Sequence, residues 1–231
     1  MAPRTTTPPA TTNASASKKA KAAPTVTTVI LVRHGQTPTT GKLLPGRAPG
    51  LHLADAGREQ AERAAARLGE LATVDAVYTS PLERARETAA PIGKVRGLKP
   101  VVDKGLLECD FGEWTGGELA KLSKLPEWVT VQRAPSTFTF PGGESFSTMQ
   151  HRIVSTIDRL RAAHPGGTIV CVSHADPIKA AVAHALGTHL DLFQRIVIST
   201  CAISVLVFTA GGPAVLAVNS TGGSLKELRP S

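Results

Sequence analysis

The most constraining feature of this sequence is the apolar, β-branched run Val26-Thr-Thr-Val-Ile-Leu-Val32, which is followed directly by Arg33-His34-Gly35. A continuous run of this kind is typical of a strand buried on both faces, as in the parallel sheets of α/β domains. Ligands of such sheets bind beyond the carboxyl ends of the strands, and a glycine there allows close backbone approach. Arg33 and His34 are therefore the first candidates for a functional site.

Two further segments repeat this arrangement. The run Thr168-Ile-Val-Cys-Val-Ser173 reads as a second buried strand and is followed by His174. A short strand over 75–79 is followed by Ser80-Pro-Leu-Glu83, which has the form of a capping box and predicts a helix with Arg84 in its first turn. Because parallel strands end at the same edge of a sheet, we expect these side chains to lie close to His34.

Strands and helices alternate along the rest of the chain. Amphipathic periodicity predicts long helices over about 55–71 and from after Gly143 to about Ala163. Shorter helices are expected over about 81–92, 118–131 with an interruption near Pro126, and 176–186, with further strands over about 99–103, 196–208 and 215–218. This alternation predicts an α/β domain wound on both sides of a mostly parallel sheet.

Composition divides the 231 residues into a globular part and two ends. With 42% hydrophobic and 19% charged residues, the chain suits one soluble domain, which we assign to residues 25–220. Residues 1–24 are rich in Thr, Ala, Pro and Ser, contain four basic residues and no acid, and are predicted to be disordered. Dispersed charges of this kind indicate a solvated extension rather than a specific nucleic-acid site. Residues 221–231 form a short C-terminal extension.

The sequence also favours one cellular compartment. Its longest apolar runs are too short to span a bilayer, and the N-terminal tail lacks the apolar block of a secretory signal. The three cysteines, Cys109, Cys171 and Cys201, are widely spaced and odd in number, which favours neither a disulfide framework nor a zinc cluster. We therefore expect a cytoplasmic protein without membrane association, and the oligomeric state is left open.

The predicted edge cluster has the residue types needed for phosphoryl transfer. Arginine presents a planar fork of donors that matches phosphate oxygens, and a neutral histidine beside guanidinium charge can act as a nucleophile. A protonated carboxylic acid can supply a proton to the leaving alkoxide, and the loop over 106–116 offers Glu108, Asp110 and Glu113. Arg47, on a loop rich in Gly and Pro, is a candidate contact for a second anionic group of the substrate.

Several motifs in order carry a family resemblance. They are Leu31-Val-Arg-His-Gly-Gln-Thr37, Tyr78-Thr-Ser-Pro-Leu-Glu-Arg-Ala-Arg-Glu-Thr88, Leu107-Glu-Cys-Asp-Phe-Gly-Glu-Trp-Thr-Gly116, Pro141-Gly-Gly-Glu-Ser145 and Val172-Ser-His174. Over about 28–208 the sequence resembles the histidine phosphatase superfamily, the phosphoglycerate mutase-like group. The resemblance implies a three-layer α/β/α fold and no metal or organic cofactor.

The resemblance also implies roles for individual residues. His34 would take the phosphoryl group, while Arg33, Arg84 and His174 would hold its oxygens. Glu108 would be the proton donor, in preference to the other two loop acids. Gln36 and Thr37 would be further phosphate contacts.

Three positions depart from the family pattern. The second histidine is followed by Ala175-Asp176-Pro177 rather than by glycine, Thr39-Thr40-Gly41 stands where the family often has asparagine, and Ala54 replaces a threonine at the start of the first long helix. We interpret Asp176 as the N-cap of a helix beginning at Pro177, the alternative being an ion pair with Arg or Lys. Asp55 is expected to cap the first helix in place of the missing threonine.

These observations favour a metal-independent phosphatase that hydrolyses phosphate monoesters of small molecules through a phosphohistidine. A phosphoglycerate mutase-type phosphomutase and a non-catalytic protein that binds a phosphorylated ligand are the alternatives. The segment between Glu108 and Pro141 is short compared with the mutases, so that the site stays open to water, which favours hydrolysis.

Overall fold

A central sheet of six strands organises the protein, for which a computed structural model describes residues 26–225 and Met1. Its strands are β1 (Thr27–Arg33), β3 (Ala76–Thr79), β4 (Val101–Val102), β6 (Thr168–Ser173), β7 (Ile203–Thr209) and β8 (Gly212–Ser220), in the order β4-β3-β6-β1-β7-β8. The pairs β4-β3, β3-β6 and β6-β1 are parallel, whereas β7 pairs antiparallel with both β1 and β8. The predicted α/β fold with a mostly parallel sheet is therefore confirmed.

Helices α1 (Asp55–Gly69) and α2 (Glu83–Arg96) cover one face of this sheet, and α5 (Phe146–Ala163) and α6 (Ala175–Ala185) cover the other. The short helices α3 (Leu119–Leu122) and α4 (Trp128–Arg133) lie between α2 and α5 in the chain. Alternate residues of β1 point to opposite sides because successive side chains of a strand face opposite ways. Ile30 and Val32 pack in the cluster with α1 and α2, while Val29 and Leu31 pack in the cluster with α5 and α6. This gives the three layers α/β/α that the family resemblance implied.

The sheet register brings the two histidine motifs together. In the parallel pair of β1 with β6, Arg33 lies opposite Ser173. The backbone N–H of His34 then donates to the Ser173 carbonyl oxygen at 3.0 Å, which continues the ladder by one residue. His34 and His174 therefore leave the same edge of the sheet from adjacent strands.

A small lobe lies over this edge. Strands β2 (Leu43–Leu44) and β5 (Gly117–Glu118) form a separate antiparallel pair. The loop between β4 and β5 packs through aromatic rings, with Phe111 and Trp114 each about edge-on to Phe140 at centroid distances of 4.9 and 5.4 Å. This lobe carries Glu108 at its base, next to the sheet edge.

The structure corrects three predicted helix starts. α2 begins at Glu83 rather than within a capping box at Ser80, and its N-cap, Leu82, has no side-chain capping bond. α1 begins at Asp55 itself after an uncapped Ala54, so that Asp55 lies in the first turn instead of capping it. α6 begins at Ala175 after His174, which leaves Asp176 inside the helix. In each case tertiary contacts rather than a local capping side chain define the first turn.

Two element boundaries differ from the predicted ones, and two predicted terminal segments lie outside the residues that the structure describes. The strand expected over 99–103 is reduced to β4, and α2 continues past Pro91 to Arg96. The predicted N-terminal tail lies outside the described residues, as does the C-terminal extension beyond Leu225. In the part of the chain that is described, no helix is both long and apolar enough to cross a membrane.

Candidate active site

His34 is held as a neutral imidazole with one protonated nitrogen and one acceptor nitrogen. The ring is 6% exposed, and its Nδ1 lies 2.8 Å from the Gly35 carbonyl oxygen, which can only accept. Nδ1 therefore carries the proton, and Nε2 is left as an acceptor that faces the Arg84 Nε–H at 3.3 Å. Burial lowers the pKa of His34 well below its ordinary value, and the charges of Arg84 and Arg33 lower it further. The ring is thus prepared as a nucleophile.

The turn that presents His34 depends on close backbone packing. A Cβ on Gly35 would lie 2.5 Å from the Gly57 carbonyl oxygen, so no larger residue fits where β1 meets the start of α1. The Gly35 backbone N–H donates to the Thr88 hydroxyl at 3.0 Å, which ties the same turn to α2. The position of His34 is therefore fixed by both helices of one layer.

Two arginines approach the ring, each anchored by a single bond to a carbonyl oxygen. Arg33 donates through Nη1 to Ile198 at 2.7 Å, and Arg84 donates through Nη2 to Gly46 at 2.7 Å. The Nε of Arg33 and the Nη1 of Arg84 are buried without a hydrogen-bond partner among the described residues. Leaving a buried donor unpaired costs about 1–3 kcal/mol. Both guanidinium groups are therefore prepared for an acceptor that the protein itself does not provide.

His174 contributes a third unpaired nitrogen. Its ring centroid is 5.1 Å from that of His34, and its Nε2 lies 2.8 Å from the Ser80 hydroxyl. Ser80 Oγ also accepts from the Leu82 backbone N–H at 3.4 Å. His174 Nδ1 is buried and has no hydrogen-bond partner within residues 26–225. Sequence reasoning assigned Ser80 to a helix cap and missed this contact.

Glu108 is the buried acid of the site. Its side chain lies on the same cavity wall as Arg33 and His34, and Oε1 accepts from the Cys109 backbone N–H at 2.9 Å. Burial raises the pKa of Glu108 to about 7, and the charge of Asp176 adds to the effect, against the opposing influence of the arginines. Of the three candidate acids, Asp110 is instead ion-paired with Arg47, and Glu113 is exposed.

Arg47 contacts the loop that carries Glu108 and is not among the residues that line the cavity. Its Nε donates to the Glu108 carbonyl oxygen at 2.8 Å, and its terminal nitrogens pair with Asp110 and Glu144 at 3.3 and 3.0 Å. Arg152 donates to the same carbonyl oxygen at 3.2 Å and also pairs with Glu144. The structure therefore gives Arg47 a different place from the predicted substrate contact, because two carboxylates attract its guanidinium to the Glu108 loop.

The two remaining predicted contacts are placed differently from each other. Thr37 is 2% exposed and borders the cavity, and its hydroxyl bonds to those of Thr39 and Thr40 at 3.2 and 3.0 Å. Gln36 is exposed, and its backbone N–H donates to the Gln60 side chain at 2.9 Å. Thr40 also lines the cavity, so this wall presents hydroxyl groups.

Arg33, His34, Thr37 and Glu108 line a cavity of about 380 Å³. Comparison with known proteins decides the family. The sequence profile of the histidine phosphatase superfamily (branch 1) matches residues 29–221. The chain belongs to this superfamily.

Relatives of this chain include proteins of different length. A bifunctional protein of Mycobacterium tuberculosis is 35% identical over 202 residues, which are 86% of this chain and 55% of that protein. The chain thus spans about half the length of the first curated relatives it matches. Phosphoserine phosphatase 1 of Hydrogenobacter thermophilus is 30% identical over 201 residues, or 84% of this chain and 92% of that protein.

Solved structures share the fold. A mycobacterial glucosyl-3-phosphoglycerate phosphatase superimposes with a TM-score of 0.77 at 26% identity, covering 84% of this chain and 99% of that one. A phosphoserine phosphatase variant from Entamoeba histolytica, solved with phosphoserine, gives 0.77 at 26% identity and covers 84% and 98%. The chain therefore shares its fold with these solved phosphatases.

The three cysteines of the chain lie outside the lining of this cavity. All three are free and buried. Burial raises the pKa of the Cys171 and Cys201 thiols to about 12, and raises that of Cys109 further. Cys109, which would be reactive if exposed, is therefore an unreactive core residue.

Proposed function

We propose that the protein hydrolyses phosphate monoesters of small molecules through a phosphohistidine formed on His34. The observation that carries this proposal is the set of three buried, unpaired nitrogens of Arg33, Arg84 and His174 beside the acceptor nitrogen of His34. The oxygens of a phosphoryl group are acceptors of the kind that such unpaired donors require. The names of the relatives, several of them phosphatases, support the same conclusion.

The first chemical step would transfer the phosphoryl group to the ring. His34 Nε2 forms a bond to phosphorus while the bond from phosphorus to the ester oxygen breaks. The neutral carboxyl group of Glu108 gives its proton to the departing alkoxide, which leaves as an alcohol. The guanidinium charges stabilise the negative charge on the phosphoryl oxygens as it is transferred.

The second step would return both residues to their starting state. Glu108, now a carboxylate, takes a proton from water as the water oxygen attacks phosphorus. The bond from phosphorus to His34 breaks, and phosphate leaves with the imidazole neutral again. The pKa of Glu108, raised to about 7, suits a group that must act as acid and then as base.

An assay distinguishes hydrolysis from the alternatives. We expect p-nitrophenyl phosphate to be hydrolysed in the presence of EDTA, since the family resemblance implies chemistry without a metal. Absence of hydrolysis together with isomerisation of 3-phosphoglycerate would indicate a phosphomutase instead. Absence of both activities would indicate a protein that only binds a phosphorylated ligand.

The pH dependence of alkyl phosphate hydrolysis follows from Glu108. Because its pKa is raised to about 7, the carboxyl group stays protonated at higher pH than that of an ordinary glutamate. It loses its proton, and with it the ability to act as an acid, only above that value. We expect kcat/KM to fall about tenfold per pH unit above this pKa. For p-nitrophenyl phosphate, whose leaving group needs no proton, the same decline should be much weaker. A pH profile without this difference would contradict the assignment.

Arg47 offers a test of how the acid is positioned. We expect Arg47→Met to lower kcat for an alkyl phosphate about tenfold with little change in KM, because the Glu108 backbone loses one of its two arginine donors. Arg63→Met removes an exposed arginine paired with Glu59 and is the matched control. A rise in KM without a change in kcat would instead indicate direct substrate contact.

The cysteines also bear on where the protein works. We infer a cytoplasmic location because Cys109, Cys171 and Cys201 are all free and buried, as suits a reducing compartment. Fractionation of cells that express the full-length protein tests this directly. Recovery with the membrane or secreted fraction would contradict it.

A further inference from the structure

The lining of the cavity beyond His34 combines apolar and polar residues. The apolar residues include Leu43 and Leu44 from the small lobe, with Ile196 and the 65%-exposed Val197 after α6. The polar residues include Asp176, Lys179 and Gln194. A substrate held by its phosphoryl group at His34 would place its alcohol portion among these residues.

Lys179 already has hydrogen-bond partners among the residues that line the cavity. Its Nζ lies 3.2 Å from Asp176 Oδ1 and 3.0 Å from Gln194 Oε1, and 5.8 Å from the centroid of the Phe193 ring. The side chains of Lys179 and Asp176 are only 18% and 17% exposed. Lys179 therefore offsets the negative charge of Asp176 and does not present an unpaired positive charge to a ligand.

Asp176 keeps one oxygen available. Oδ1 accepts from Lys179, whereas Oδ2 accepts no hydrogen bond from the described residues. Asp176 lines the cavity together with Glu108. A donor on the substrate, such as a hydroxyl or an ammonium group, would give Asp176 Oδ2 a hydrogen-bond partner.

The charges of the cavity do not favour a second anion. A bound phosphoryl group carries about two negative charges, which Arg33 and Arg84 match. Within the described lining, the other cation is Lys179, which is paired with Asp176. Arg47 is held by Asp110 and Glu144. A carboxylate or second phosphate on the substrate would meet Asp176 without an unpaired cation to offset it.

We propose that the substrate is a phosphate monoester of an uncharged or amine-bearing alcohol with apolar surface, selected by Asp176 against alcohols that carry a second anionic group. This inference rests on the proposed function, since it assumes the phosphoryl group at His34. It also predicts poor use of phosphoglycerate-like compounds.

A matched pair of ligands tests the proposal. O-phosphoethanolamine and 2-phosphoglycolate are similar in size and differ in an ammonium against a carboxylate group. At pH 6, where Glu108 is protonated, we expect wild-type kcat/KM to favour phosphoethanolamine about tenfold or more. Binding of both ligands to the His34→Ala variant by calorimetry should give the same order of affinity. Equal or reversed preference in both measurements would overturn the proposal.

Variants assign the preference to Asp176. Asp176→Asn should reduce the difference between the two ligands to within about threefold, chiefly by improving phosphoglycolate. Asp158→Asn removes an equal charge from the surface of α5 and should leave the preference intact. An unchanged preference in Asp176→Asn would also overturn the proposal. If p-nitrophenyl phosphate is not hydrolysed but His34→Ala still binds phosphoethanolamine more tightly, the proposed function fails and the selectivity stands.

Discussion

His34→Ala is expected to lower the rate of phosphate ester hydrolysis by about 10⁴-fold or more, because no other group takes over the covalent step. His34 Nε2 faces the Arg84 Nε–H, and the neighbouring ring of His174 has its Nε2 bonded to Ser80. Loss of the imidazole therefore leaves the anion site without a nucleophile. Steady-state rates with p-nitrophenyl phosphate measure the effect.

The covalent intermediate gives an independent measurement. Wild-type protein quenched during turnover of ³²P-labelled substrate should carry acid-labile label, and His34→Ala should carry none. His151→Ala, which removes an exposed histidine from α5, is the matched control and should keep both label and rate. Retention of activity or label in His34→Ala would refute the assignment of the nucleophile.

Glu108→Gln is expected to have the second largest effect, and the effect should depend on the leaving group. Gln keeps the size of the side chain but has no acidic proton, so hydrolysis of alkyl phosphates should slow by about 10²–10⁴-fold. p-Nitrophenolate is a stable anion that leaves without protonation, and its ester should lose far less. Comparison of kcat for the two esters measures this difference.

Glu113→Gln is the control for this experiment. It makes the same chemical change on the same loop, at an exposed side chain. We expect wild-type rates with both esters. An equal loss on both esters in Glu108→Gln would argue that Glu108 has only a structural role.

Much of the fold could be predicted because long stretches bury one face. The apolar stripes of α1 and α5 placed these helices within about three residues of their observed ends, and β6 coincides with its prediction. Helix starts were less predictable. Ser80 has the residue type of an N-cap, yet its hydroxyl is directed to His174 from across the sheet edge. A local sequence pattern does not show that a residue far away in the chain competes for the same hydrogen-bonding group.

The residues of the candidate site could likewise be placed from sequence only in part. His34 and His174 could be placed together from sequence because each directly follows a buried strand, and parallel neighbours end at one edge. Arg47 could not be placed, since its position depends on Asp110 and on Glu144, which is 97 residues away in the chain. Asp176 resembled a helix cap, but in the structure it pairs with Lys179 on the cavity wall.

The sequence by itself determined the family, the order of strands and helices, and the residue types that meet at the sheet edge, since these depend on local patterns and on the direction of buried strands. Only the tertiary structure decided which donors remain unpaired, how deeply Glu108 is buried and which charged residues line the cavity. The physical reason is that hydrogen bonding, desolvation and charge pairing depend on distances between groups far apart in the chain, and these distances exist only after the layers have packed.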